Sequence, residues 1–591
     1  MKPSVQSAWL IPVLLAFSCI TAAADSTWVE QSDAITETVM TAQAKFQPET
    51  FSGIGISAVD AEIMDLQEGL YERSQEELLQ LLALLEERKR TTENPRVIQD
   101  INILIKSITD QYHTTELNHK YMLPYYNLSQ ALYFGFQSLL DPRNDPSRYA
   151  AALERLKQYT GQAPDSAPIT QLARERTRER FSQPGLLGPY REQLEKDLQN
   201  VERYRAGLQQ VFEDSGLEGW QENLALLILQ LDEYAEWLTQ EMLPRARDQH
   251  QLPEELYADN LKNFGVDMEP RQLIAAAQLG FADIQFQMQA IARQIAEQNG
   301  YASSDYRAVL KELSKEQIED ENVLPFYRDR LGDLEAIIRE NELVSLPERP
   351  AVIRLATEAE SAAVPAPFMS PPQLIGNTGQ PGEFVLVTSN PGDDSGEAMN
   401  DFGSAASTWS LTAHEARPGH EMQFAAMLES GVSQARAIYA FNSANVEGWG
   451  LYAEAIMQQY LPLDGQLFGL KGRLMRAARA FLDPMLNLGL IAPEQALDFI
   501  INEVGLSRPL ALQEVDRYTF RAPGQATSYY YGYMNLMSLR TEVELRMRDA
   551  FNQREYHDFL LAQGLLPPDI LRAAVLEDFV SAATPAAKPA D

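Results

Sequence analysis

Between Asp60 and Arg90 the apolar residues Ile63, Leu66, Leu70, Leu78, Leu79, Leu82 and Leu85 return at three- and four-residue steps among Glu, Gln and Arg. That period puts them on one face of a helix and predicts a long amphipathic helix over the stretch. Stripes of the same period run through residues 97–108, 149–159, 194–212, 224–242 and 271–298, with Pro and Gly marking the breaks. The first 350 residues therefore read as almost wholly helical. Helix and linker lengths vary too much for a fixed-period repeat, which favours a packed helical body over a solenoid.

The pattern changes at Arg349-Pro350. Residues 351–355 and 383–388 are rich in Val, Ile, Leu and Phe and read as strands of a small sheet, with a Pro-rich passage, Val364 to Gln380, between them. Residues 391–396 (Pro-Gly-Asp-Asp-Ser-Gly) read as a turn or mobile loop, and helical patterning returns from Trp409 onward. The predicted fold class is mainly α, a large multi-helix body with a small β-sheet next to the helix that carries the chemistry. Its parts are a leader (1–24), a helical N-terminal region (25–350), a region with the sheet and the motifs below (351–580), continuous with the first, and a disordered Ala-, Pro- and Lys-rich tail (581–591).

The leader follows from Met1-Lys2, an apolar run from Ala8 to Ile20 and Thr21-Ala22-Ala23-Ala24, the three parts of a secretory signal cleaved before Asp25. It predicts an exported, periplasmic chain. The one cysteine of the chain, Cys19, falls inside that leader. Cleavage after Ala24 leaves no thiol for disulfides, catalysis or metal binding, whereas lipid attachment at Cys19 is the alternative, suited by Leu14-Leu15 and opposed by the bulky Phe17. No other stretch supplies the apolar run that a membrane span requires. Composition completes the class: 45% apolar and 23% charged residues belong to a soluble globular protein. Asp and Glu outnumber Lys and Arg by 84 to 49, and the net charge of −35 repels phosphate backbones, so nucleic acid is excluded as a partner.

Two of only six histidines stand in Thr412-Ala413-His414-Glu415-Ala416-Arg417-Pro418-Gly419-His420. A His-Glu pair followed by a second His is the grammar of zinc hydrolases, in which two imidazoles hold the ion and the Glu takes a proton from the attacking water. Histidines four residues apart lie about 40° apart round a helix, but six residues place them about 120° apart. An unbroken helix cannot bring both to one ion. Pro418 and Gly419 supply the break that lets His420 return. Catalytic zinc takes three protein ligands, and the candidate third is Glu447, which opens Glu447-Gly448-Trp449-Gly450-Leu451-Tyr452-Ala453-Glu454. Glu454, two turns further on the same face, is placed to steer a ligand histidine from behind. His113, His119 and His250 lack such context.

His-Glu-Ala-x-Pro-Gly-His followed by Glu-Gly-Trp-x-Leu-Tyr-x-Glu resembles the bacterial family catalogued as domain of unknown function 885. So do Glu514-Val515-Asp516-Arg517-Tyr518, Pro523-Gly524-Gln525-Ala526-Thr527-Ser528-Tyr529 and Tyr556-His557-Asp558. That family looks like a remote relative of zinc peptidases such as thimet-type oligopeptidases and Taq-type carboxypeptidases. The resemblance implies His414, His420 and Glu447 as zinc ligands, Glu415 as general base and Tyr529 as oxyanion donor. One departure is Glu421, where many members have a second His. His557, Arg517 and Arg521 are candidates for binding substrate, as Arg540 is less specifically; a buried structural histidine and ordinary salt bridges are the alternatives. The expected function is an exported zinc-dependent peptidase cleaving short peptides. A zinc hydrolase of another amide or ester, or a noncatalytic binding protein of the same fold, stands as the alternative. The 383–388 strand is expected to hold an extended peptide along its edge.

Overall fold

The computed structural model of the chain describes residues 15–364, 366–387 and 401–583. Helices make up most of it, and three short strands form its one sheet among those residues. The expected stripes appear as helices Pro95–Tyr121, Ala150–Thr160, Arg191–Asp214, Gln221–Trp237 and Pro270–Asn299. Local chemistry sets their ends: before Pro95, the Asn94 side chain accepts the Arg96 N–H at 3.0 Å and caps the helix. The helix expected from Asp60 begins instead at Leu70 and runs to Thr91. Gly69 stands just before it at φ 70°, a left-handed conformation that closes off the preceding segment. Leu66 is still buried, but from that non-helical lead-in, so apolar recurrence alone overran the helix by ten residues.

One core lies between helices Leu128–Leu139, Arg191–Asp214 and Gln221–Trp237, where Phe136, Phe212 and Leu227 are fully buried. A second joins helix Pro270–Asn299 to helix Leu463–Asn487, with Leu273 and Met288 in one cluster with Leu470 and Leu474. The long helix that precedes the sheet thus packs along one that follows the motifs.

The sheet has the order β1-β3-β2, with β1 (Val352–Leu355) parallel and β2 (Phe368–Ser370) antiparallel to β3 (Glu383–Leu386). This corrects one expectation. The 383–386 strand is the central one, with both edges paired, and has no free edge on which to hold a peptide. Its Phe384 meets Tyr327 edge-on at 5.6 Å, and the cluster continues through Leu386 to Leu411 and Ala416. The sheet therefore backs the helix that carries His414.

Helix Leu15–Gln43 starts inside the expected leader and runs past Ala24. Residues 1–14 of that leader, the turn expected over 391–396 and the tail beyond Ala583 lie outside the described residues. No described helix is long and apolar enough to cross a membrane.

Candidate metal centre

Helix Ser407–Glu415 ends one residue after His414, and a new helix, His420–Ser430, begins on His420 itself. The two are joined by Ala416 to Gly419, with a cis peptide between Arg417 and Pro418. A Cβ on Gly419 would lie 1.8 Å from the His414 carbonyl oxygen, so only glycine lets the chain fold back this closely. Trp449 donates its indole N–H to the Pro418 carbonyl at 2.9 Å and pins the turn. The expected Pro-Gly break is a full helix-to-helix turn.

The third element is helix Ser443–Met457, capped by Asn442, whose side chain accepts the Asn445 N–H at 2.8 Å. It brings Glu447 Oε2 to 3.5 Å from His414 Nε2 and 3.3 Å from His420 Nε2, and the three donor atoms all lie within 4.8 Å of one another. Ligands about 2.0–2.1 Å from a tetrahedral ion stand roughly 3.3 Å apart, and the separations of Glu447 from the two imidazoles match that spacing. His414 Nδ1 faces Glu454 Oε1 at 2.8 Å, and Ser410 donates to the other Glu454 oxygen. Glu454 thus braces His414 from behind, with Nε2 turned toward Glu447.

Burial works against the charge on His414, Glu415, Glu447 and Glu454, and their contacts overcome it unequally. Burial pushes His414 down, but hydrogen bonds with Glu447 and Glu454 raise it to about 9. Burial pushes Glu447 up, yet His414 and His420 hold it well below the usual carboxylate range. Burial raises the Glu415 carboxyl, with the two histidines opposing. Glu415 is therefore a buried carboxyl beside the histidines, shifted in the direction that makes a carboxylate more basic.

Tyr529 reaches the same place through two glycines. A Cβ on Gly448 would come within 2.7 Å of Gly532, and one on Gly532 within 1.9 Å of the Ala444 carbonyl oxygen. Helix Ser528–Met547 can therefore cross helix Ser443–Met457 in backbone contact. The preceding motif docks the crossing: Gln525 donates to Ser443 Oγ at 3.0 Å, and the Ser443 and Ser528 hydroxyls are 2.7 Å apart. The Tyr529 ring then lies 6.3 Å from the His414 ring and nearly parallel to it, at 16°.

Around the Tyr529 ring stand three guanidinium groups: Arg479 with Cζ 4.5 Å from the ring centroid, and Arg476 and Arg517, each at 5.9 Å. Arg517 was a sequence candidate; Arg476 and Arg479 were not. Their only sequence signal is three-residue spacing with Arg473 on helix Leu463–Asn487, a pattern shared with any solvated helix face. Gly450 also escaped notice. A Cβ there would meet His414 Cε1 at 2.7 Å and His420 Cε1 at 2.9 Å, so the imidazoles occupy the space where its side chain would be.

Other candidates are placed apart. His557 is fully buried, with Nε2 facing the Tyr452 hydroxyl at 2.8 Å and Nδ1 facing the Leu343 carbonyl at 2.7 Å. Neither nitrogen is left for a substrate, and burial pushes its pKa down to about 4. Arg540 joins that network through Tyr452, at 3.2 Å. Arg521 faces Asp516 at 3.9 Å. Glu421 is paired with Arg417 at 2.7 Å and is not among the three clustered donors. His250 faces the Leu486 carbonyl at 3.2 Å, while His119 stacks on Tyr71.

No curated protein matches the sequence. Among solved structures, a "putative lipoprotein of unknown function" from Shewanella oneidensis matches at TM-score 0.72 and 18% identity, covering 93% of this chain and 99% of its own. A "putative lipoprotein" from Colwellia psychrerythraea matches at TM-score 0.74 and 18% identity, covering 94% and 99%. At these identities the likeness speaks for the fold alone. A "putative oligoendopeptidase F" from Bacillus anthracis str. Ames, at TM-score 0.24 and 11% identity over 86% and 96%, is too distant to bear on the fold or the site. Residues 48–575 match the family described as "Bacterial protein of unknown function (DUF885)", nearly the whole chain, and the protein belongs to that family.

Proposed function

We propose that this chain is a zinc-dependent hydrolase acting on the peptide bonds of short peptides. The observation that carries this is the convergence of His414, His420 and Glu447 at 3.3–3.5 Å beside the buried carboxyl of Glu415. Zinc held by those three residues would supply Lewis-acid polarisation of the substrate carbonyl and acidification of water. Glu415 accepts the proton of the attacking water and delivers it to the leaving amine. The Tyr529 hydroxyl donates to the carbonyl oxygen as negative charge develops there. Glu454 keeps the His414 ring in one orientation, with its proton on Nδ1.

Glu415→Gln tests this assignment, because it keeps the size of the side chain and removes the proton acceptor. Zinc content should stay at the wild-type level, while hydrolysis of a peptide mixture, followed by mass spectrometry, falls by at least ~100-fold. Normal turnover in a folded, zinc-loaded variant would remove the general-base mechanism. We further propose export through the N-terminal leader. Intact mass of the mature chain separates a soluble form beginning at Asp25 from a form anchored by lipid on Cys19, the arm supported by the names of the two lipoprotein fold relatives.

A further inference from the structure

Two of the three guanidinium groups round Tyr529 stand beside carboxylates that other groups already occupy. Glu514 takes Arg479 through two hydrogen bonds of 2.6 and 2.7 Å and the Tyr518 hydroxyl at 2.7 Å. Arg517 Nη1 is left 3.9 Å from Glu514, beyond hydrogen-bond reach, and this nitrogen is buried with no hydrogen-bond partner. Glu454 is likewise engaged by His414 and Ser410, so Arg476 Nη2 stands 3.7 Å from it, while Arg476 Nε is buried and without a partner. Buried charged donors are costly to leave unpaired, and an acceptor brought by a ligand would relieve that cost. Both cations are within electrostatic reach of the metal centre: Arg476 interacts with Glu415, and Arg517 with Glu447. The Arg517 side chain is 29% exposed and that of Glu447 18%, so neither is sealed off from solvent.

We propose that Arg476 and Arg517 form a cradle for a carboxylate of the peptide substrate, and that this carboxylate is the C-terminal one, so the chain removes residues from the C-terminal ends of peptides. The inference rests on the hydrolase assignment above. The Tyr529 ring centroid is 6.3 Å from that of His414 and 5.9 Å from both guanidinium carbons, a span on the scale of a short stretch of extended peptide at roughly 3.3–3.6 Å per residue. A free chain end supplies a planar, doubly accepting anion that suits guanidinium forks.

The test uses the zinc-loaded protein and a mixture of peptides, each present as free acid and as C-terminal amide, with turnover read by mass spectrometry. Free acids should lose C-terminal residues at least ~10-fold faster than their amides, the discrimination expected of one charged hydrogen bond. In Arg517→Gln and Arg476→Gln this ratio should fall toward one through a higher KM, and Arg517→Lys should recover part of it. Zinc content is measured on every variant, since Arg476 also neighbours Glu454. Equal cleavage of acids and amides by the wild-type protein overturns the cradle. Cleavage of amides beside an internal Asp or Glu as fast as of free acids overturns the C-terminal assignment and assigns the cradle to side chains. If zinc is bound and no peptide is cleaved, the hydrolase assignment fails by itself. Calorimetry with N-acetyl-alanyl-alanine and its amide then decides the cradle, which stands only if the acid binds more tightly and Arg517→Gln abolishes the difference.

Discussion

Gly450→Ala adds one methyl group in the interior of helix Ser443–Met457, where helix propensity alone favours alanine by about 1 kcal/mol. The metal centre opposes the change. The new Cβ would lie 2.7 Å from His414 Cε1, 2.9 Å from His414 Nε2 and 2.9 Å from His420 Cε1, whereas ordinary contact begins at 3.4 Å. Both rings would have to retreat by roughly 0.5–0.7 Å, several times the ~0.2 Å over which metal-ligand distances vary. Zinc affinity should therefore fall by at least ~10–100-fold, the range seen when groups that orient a ligand are lost. In the metal-free protein, gained propensity offsets part of an overpacking cost of ~1–3 kcal/mol, and stability should change by less than about 2 kcal/mol. A zinc titration against a chromophoric chelator measures the first quantity, and thermal melts of chelator-treated protein the second. Gly469→Ala is the control, because a Cβ there meets nothing within 4 Å, and zinc binding should be unaffected. A folded Gly450→Ala protein with zinc affinity within twofold of wild type would refute the steric argument.

Glu454→Gln removes the charge that braces His414 Nδ1, and in the same titration zinc affinity should fall by about 10–100-fold with the fold intact by circular dichroism. For His557 the sign follows from its pKa near 4, lowered from 6.5: the unfolded chain takes up a proton that the buried ring refuses, so its stabilising contribution is complete above pH 6.5 and lost as pH falls toward 4. Urea unfolding at pH 7 and pH 5 should show the stability advantage of wild type over His557→Asn shrinking by about 2 kcal/mol, and a pH-independent difference would rule out a buried neutral ring.

The helical body and the three donor residues were legible because each is written in local pattern. Apolar periodicity marks a helix wherever it has a face to bury, and His414, His420 and Glu447 carry their chemistry in residue type. Pro418 and Gly419 announced the turn for the same reason. What escaped depends on contacts between distant segments. Leu66 continues the apolar stripe but packs from a non-helical lead-in, and periodicity cannot report where Gly69 ends that segment. The 383–386 strand carries the same residues whether central or at an edge; its partners, at 352–355 and 368–370, decide. Arg476 and Arg479 matter because helix Leu463–Asn487 brings them to Tyr529, more than forty residues further along the chain.

Gly450 is different, because its requirement can be worked out from spacing once the roles of its neighbours are known. Glu447 and Glu454 stand at i and i+7 on one helix face, with i+3 and i+4 between them. His414 spans that interval, turning Nε2 toward Glu447 and Nδ1 toward Glu454. An imidazole that bridges carboxylates two turns apart must cross the intervening turn, so a side chain there competes with the ring. At i+4 Leu451 turns into the apolar core shared by helices Pro270–Asn299 and Leu463–Asn487 and leaves the crossing clear. At i+3 nothing with a Cβ fits, as the 2.7 Å approach to His414 shows. A histidine held by a ligand carboxylate and a bracing carboxylate seven residues apart therefore calls for glycine at the third position after the ligand, and this helix supplies it.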